Sequence, residues 1–166
     1  MNPNTLTTKT QAVIQEAQML AQQASHAQID NDHLLKVLVD VDSLQYIFKK
    51  LGVNLPLLKQ TAEKNLASKP SVQGGQLSLS PQTNRVFADA WSEAQKMKDE
   101  FIAVEHLLLA LVKNKSTASQ ILKDQGVNEK GLISAIEEMR QGARVTSASA
   151  EESYQALDKY ARNLNQ

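Results

Sequence analysis

Apolar positions along this chain recur every three to four residues rather than every second one. Val13, Ile14, Ala17, Leu20, Ala21 and Ala24 form one such series, and Val86, Phe87, Ala90, Ala94 and Met97 form another. That spacing lines one side of an α-helix, which completes a turn in 3.6 residues. Two-residue alternation is confined to short stretches around Val72 and Leu77-Ser78-Leu79. The pattern predicts an all-α fold.

The series also repeats. Ile29-Asp-Asn-Asp-His33-Leu34-Leu35-Lys-Val-Leu38-Val39 aligns without a gap on Ile102-Ala-Val-Glu-His106-Leu107-Leu108-Leu-Ala-Leu111-Val112, at an offset of 73 residues and with six of eleven positions identical. The same offset pairs Leu6 with Leu79, Thr7 with Ser80, Val13 with Val86, Ile14 with Phe87 and Ala17 with Ala90. One inserted residue then sets Gly52-Val53-Asn54 on Gly126-Val127-Asn128, and Leu58 on Leu132. Self-similarity at a fixed period marks a duplicated unit.

Each unit reads as four helices. Thr7 is a fitting N-cap for a helix to about Ser25, and Ser80-Pro81 opens its counterpart with a cap and a first-turn proline. A short apolar helix follows at about 31–40 and 104–113. A third, at about 43–51 and 116–125, is closed by Gly52 and Gly126. Asn54 and Asn128 cap a fourth, which runs to Leu66 and Arg140. The expectation is two tandem four-helix repeats related by a pseudo-two-fold axis. Repeat one covers 5–67, a linker 68–78 and repeat two 79–142, together one domain over 1–142. Residues 143–166 read as a second linker followed by an amphipathic stretch, Tyr154 to Leu164, and are expected to be loosely ordered.

Charge and composition narrow the function. The 166 residues carry 18 basic and 18 acidic side chains, and the balance holds regionally, with six against six over 1–67 and nine against nine over 68–143. A neutral chain without a basic cluster lacks the footprint of a nucleic-acid or anionic-membrane binder. There is no Cys, hence no disulfide or thiolate site. The longest apolar run, Leu107 to Val112, is far short of the ~20 residues that span a bilayer. The polar start, Met1-Asn2-Pro3-Asn4-Thr5, is unlike a secretory signal. A cytoplasmic location is expected.

No phosphate-binding G-x-x-x-x-G-K-[ST] loop, H-E-x-x-H or G-x-S-x-G occurs, so no enzymatic role is expected of this chain. His33 and His106 are duplication mates, whereas His26 aligns with Asp99. Ligand count and spacing do not suit zinc. Both duplicated histidines read as first-turn residues that hydrogen-bond a neighbouring loop, and no metal site is expected.

The pattern Leu6-Thr7…Gln11…Ala17…Ala21, then Ile29…His33-Leu34-Leu35…Leu38, then Leu51-Gly52-Val53, given twice, resembles the Clp amino-terminal domain. Asp99 to Leu111, Met139-Arg140-Gln-Gly142 and the stretch from Tyr154 to Leu164 are most similar to its ClpB branch of disaggregase chaperones. The resemblance implies a substrate-recognition module for exposed apolar segments of unfolded or aggregated polypeptides. These would pass to ATPase rings outside this chain, which would bind ATP and magnesium, while this part needs no cofactor. It further implies a homo-hexameric parent and a monomeric fragment. The alternative is a docking module for an adaptor protein, as the ClpA and ClpC branches imply. Thr7, Asp99 and Glu105 match the family's implicated polar positions. Thr7 serves equally as a helix cap, worth about 1 kcal/mol, and the two acids equally as capping or solvated groups.

Comparing the repeats adds apolar candidates. Gln18 pairs with Trp91, Asn31 with Val104, and Lys36 with Leu109. A position that is polar in one copy is expected to face outward there. Leu109 reads as buried between the halves. Trp91 and Val104, with Phe87, are expected to form an exposed apolar patch near Asp99 and Glu105, as a peptide-capturing groove requires.

Overall fold

A computed structural model describes residues 3–151. After a 3-10 turn at Pro3–Thr5, repeat one contains α1 (Thr8–Gln23), α2 (Asn31–Leu38), α3 (Asp42–Lys50) and α4 (Leu55–Ala67). Repeat two contains α5 (Pro81–Lys96), α6 (Val104–Lys113), α7 (Thr117–Asp124) and α8 (Glu129–Arg140). Two-residue strands, β1 (Gln28–Ile29) and β2 (Ser78–Leu79), complete the elements among the described residues. The fold is all-α, as expected.

The caps stand where the sequence set them. Thr7, Asn54, Ser80 and Asn128 each accept a hydrogen bond from the backbone N–H three residues on, which satisfies one orphan donor per helix. Gly52 and Gly126 adopt φ of +73° and +91° after α3 and α7, a conformation that a side chain would strain. The ends of α1 and α5 use the same device without glycine. Their mates Ser25 and Lys98 are left-handed, at φ 55° and 61°.

The repeats interlock instead of standing side by side. Ile29 pairs in parallel with Leu79, and Leu6 with Ile102. Ile29 and Ile102 are duplication mates, as are Leu6 and Leu79. The loop after each repeat's first helix therefore pairs with the segment that leads into the other repeat's first helix. Leu34, Leu35 and Leu38 of α2 and Leu107, Leu108, Leu109 and Leu111 of α6 are fully buried in one core shared by both repeats. Every residue of α6 from Val104 to Val112 is buried, which marks it as the central helix. None of the helices is long and apolar enough to cross a membrane, among the described residues.

Both expected linkers are partly held. In the first, the Val72 N–H donates to the Ser25 carbonyl at 2.8 Å, and the Lys69 ammonium lies 2.8 Å from Asp32. The second differs from expectation over 143–151: Val145, Ala150 and Glu151 are buried. Backbone hydrogen bonds tie this segment to both repeats, from the Thr8 N–H to the Ala148 carbonyl and from the Glu100 N–H to the Val145 carbonyl. Short Ser and Ala side chains let its backbone lie close to the domain. The amphipathic stretch from Tyr154 to Leu164 lies outside the described residues.

Candidate functional site

The crossed pairing brings the starts and outer faces of α1 and α5 to the pseudo-two-fold axis. There they enclose an open groove of about 630 Å³, lined by Thr5, Leu6, Ile14, Leu79, Asn84, Phe87, Ala88 and Trp91. Leu6 and Leu79 are duplication mates, as are Ile14 and Phe87, so both copies contribute these two positions, whereas the mates of Thr5, Asn84, Ala88 and Trp91 do not line it. Leu6 and Phe87 are buried, while Ile14, Leu79 and Trp91 remain half-buried. Among the lining residues only Thr5 and Asn84 are polar. A concave, largely apolar surface with few convergent polar groups suits an apolar side-chain ligand. It lacks a nucleophile or acid–base pair.

Phe87 and Trp91 thus lie in the groove, but the other candidate residues do not. Val104 is 0% exposed and belongs to the core. The polarity of its mate Asn31 had suggested an outward position, yet Asn31 is also buried and accepts a hydrogen bond from the Thr83 hydroxyl at 2.9 Å. A hydrogen bond across the repeat interface thus holds its Oδ1 inside, while its buried Nδ2 has no partner among the described residues. Gln18, the mate of Trp91, is exposed as expected.

Thr7, Asp99 and Glu105 are buried as well, at 0%, 5% and 0% exposure. The Thr7 hydroxyl accepts the Thr10 N–H at 3.1 Å and donates to the Thr10 hydroxyl, which in turn donates to the Ile102 carbonyl. Asp99 and Glu105 flank Arg140 of α8: its Nη1 lies 2.7 Å from Asp99 Oδ2, and its Nε lies 3.1 Å from Glu105 Oε2. These three side chains form a buried ion network rather than an exposed polar rim, which corrects the expectation of direct ligand contact. Burial alone would raise the Asp99 pKa, but hydrogen bonds from His106, the Val145 N–H and Arg140 hold it below the ordinary range.

The histidines are settled by geometry. His106 Nδ1 accepts the Ala103 N–H at 2.8 Å, so its ring proton is on Nε2, which donates to Asp99 Oδ2 at 2.7 Å. His33 Nδ1 likewise accepts the Asp30 N–H at 2.9 Å, and its Nε2 faces His26 Nδ1 at 2.8 Å. The aligned pairs His26/Asp99 and His33/His106 thus do one job in two chemical versions. No cluster of three or more His, Asp or Glu is arranged to hold a metal ion among the described residues.

The family model of the Clp repeat (R) N-terminal domain matches residues 5–125. The chain belongs to this family. It is 44% identical over 168 residues to the chaperone protein ClpB of Bacteroides thetaiotaomicron and 42% identical to that of Porphyromonas gingivalis, each match covering all of this chain. This Clp N-domain spans about a fifth of those relatives, 20% of each. Solved structures share its fold. The Hsp104 N-terminal domain from Candida albicans gives a TM-score of 0.80 at 24% identity, covering 87% of this chain and 97% of that one. The ClpV N-domain in complex with a VipB peptide gives 0.66 at 17% identity, covering 80% and 85%.

Leu6, Ile14 and Leu79 were missed as groove residues because both copies are apolar there. Apolar mates fit a shared core, but mates beside a pseudo-two-fold axis can also face each other across an open cleft. The signal available was their position: Leu6 and Leu79 stand immediately before the caps of α1 and α5.

Proposed function

We propose that this Clp N-domain is a polypeptide-binding module that takes apolar segments of unfolded or aggregated chains into the groove between α1 and α5. The observation that carries this reading is the groove itself, an open apolar cleft lined by Phe87 and Trp91 of α5, Ile14 of α1 and Leu6 before it. A half-buried Trp offers a large contact area with two χ angles to fix, as interface hot spots do. The lining carries few hydrogen-bond groups to fix a sequence, so the binding it supports is weak and promiscuous.

In this reading the module needs no cofactor and catalyses nothing. It serves ATPase rings, with their ATP and magnesium, that belong to a hexameric cytoplasmic parent. A second reading, docking of a dedicated partner segment, draws support from the peptide complex of the ClpV N-domain, a protein of the same fold. A titration separates them. The ¹⁵N-labelled chain is mixed with a permanently unfolded protein and, separately, with its folded form. Shifts at Ile14, Leu79, Phe87 and Trp91 with the unfolded form alone support polypeptide recognition. Absence of shifts there, or shifts centred elsewhere, overturns it.

A further inference from the structure

The starts of α2 and α6 are duplication mates, but only α2 carries its own acidic cap. Asp30 Oδ1 accepts the Asn31 N–H at 2.8 Å and the Ser80 hydroxyl at 2.9 Å. At α6 the residue in Asp30's place is Ala103, which supplies no side-chain cap bond. A carboxylate nevertheless occupies the equivalent position: Glu151 Oε2 accepts the Val104 N–H at 2.9 Å, and the Thr7 hydroxyl, mate of Ser80, lies beside it. Val104 is the mate of Asn31. The exit segment thus restores from outside the repeat the cap that Ala103 lacks.

The residues of the buried network serve the same segment. Asp99 Oδ1 accepts the Val145 N–H at 2.9 Å while its other oxygen holds Arg140 and His106. Arg140 in turn holds Glu105, whose carboxyl faces Glu151. Val145 is fully buried, and Ala150 and Glu151 nearly so. We propose that Thr7, Asp99, Glu105 and Arg140 form an internal docking site for residues 143–151, in which Glu151 caps α6 and fastens this segment to the domain. These residues are positioning residues that act through the exit segment, not groups that touch a ligand. Release of the segment would free nine residues, a reach on the order of 30 Å, between Gly142 and residue 152.

The charge state of the latch supports this reading. Asp30 has Lys69 beside it, and its carboxyl stays below the ordinary range: burial raises it, but hydrogen bonds from the Asn31 N–H and the Ser80 hydroxyl, with the Lys69 ammonium, outweigh that. Glu151 meets a second carboxyl, Glu105, in a buried site. Burial first and Glu105 second push it up to about 7, against Thr7, the Val104 N–H and Lys9, which favour the anion. Among the described residues, one buried oxygen of Glu105 and one of Glu151 have no hydrogen-bond partner. Among the described residues, the other charged groups facing the pair are Lys9 of α1 and Arg140 of α8, while α3 brings the Ser43 hydroxyl to this corner. Deprotonation above neutrality therefore loosens the latch.

Amide hydrogen exchange of the whole chain without ligand tests the proposal, whatever the groove binds. In Glu151→Ala, the amides of Thr8, Glu100, Val104 and Val145 should exchange at least tenfold faster, with Leu107 and Leu108 in the core unchanged. Affinity for an unfolded protein should stay within twofold. Glu151→Gln keeps an acceptor for the Val104 N–H, so it should restore protection and remove its decline between pH 6 and 8.5 after correction for intrinsic rates. Val145→Ser, which leaves every charged group in place, should loosen the same four amides. Unchanged protection in Glu151→Ala or in Val145→Ser overturns the proposal. So does a loss of groove binding in Glu151→Ala with the segment still protected.

Discussion

Leu6 pairs in parallel with Ile102, and their duplication mates Leu79 and Ile29 repeat that pairing on the other side of the pseudo-two-fold axis. Each repeat thus closes the loop of the other, and neither contains a complete set of partners. The same dependence runs through the core, where every residue of α2 but Lys36 and every residue of α6 but Lys113 is buried. A chain of residues 1–70 should therefore fail to fold cooperatively, since a unit that stacks on its mate leaves an apolar face bare when alone. Circular dichroism melts and amide dispersion check this. A monomeric half with a sharp melt would show that the crossed pairing is dispensable.

Arg140 is the cation between two buried acids, Asp99 and Glu105. Removing one partner of a buried pair strands the rest, which costs about 3–5 kcal/mol. Arg140→Ala should lower the unfolding free energy read from urea melts by that amount, through a lower midpoint with little change in slope. Arg140→Lys should recover only part, because an ammonium cannot reach both carboxylates with a planar fork. A cost under about 1 kcal/mol in the alanine variant would mean that the network does not hold α8 against the loop before α6.

Trp91 and Val104 should now separate cleanly. Val104→Ser puts a hydroxyl into a fully buried apolar site and should cost about 2–3 kcal/mol, with groove binding unchanged in the folded protein. Trp91→Ala removes a half-buried side chain, so it should cost under about 1.5 kcal/mol while weakening binding of unfolded protein severalfold. Trp91 emission should shift when such a protein is added to the parent chain. The reverse ranking, with Trp91 the costlier substitution and binding intact, would move the groove elsewhere.

The duplication made the helices, caps and first-turn histidines legible, because each is set by local spacing and appears twice. What differs between the copies was harder to read. Asp99, Glu105 and Arg140 align with His26, Asp32 and Leu66, so nothing in repeat one announces a buried ion network in repeat two. Asn31 defeated the rule that polar mates face outward, since its Thr83 partner comes from the other repeat. The exit segment was hidden by its composition: Ser and Ala signal a linker, yet backbone hydrogen bonds and a single acid suffice to dock it.

The histidine pair of repeat one should make the domain sensitive to acid. His33 Nδ1 is occupied as an acceptor of the Asp30 N–H, so its single proton sits on Nε2 and donates to His26 Nδ1. A further proton on His26 Nδ1 would place two donors 2.8 Å apart, and one on His33 Nδ1 would set an N–H against the Asp30 N–H. Burial and the Lys69 ammonium lower the pKa of His26, and burial, His26 and Lys69 lower that of His33. A histidine with a depressed folded-state pKa binds fewer protons native than unfolded, so its contribution is intact above about 6.5 and is lost as the pH falls below that. Glu151 has the opposite sign. Its carboxyl, raised from 4.5 to about 7, contributes fully below 4.5, and that contribution is lost as the pH rises through 7. The two windows overlap, so the histidine effect is best read in a Glu151→Gln background. There, urea midpoints should fall between pH 7 and 5. His26→Asp copies the arrangement of repeat two, in which Asp99 accepts the ring proton of His106 at 2.7 Å, and it should abolish that fall. Equal slopes with and without the substitution would place the acid sensitivity outside the pair.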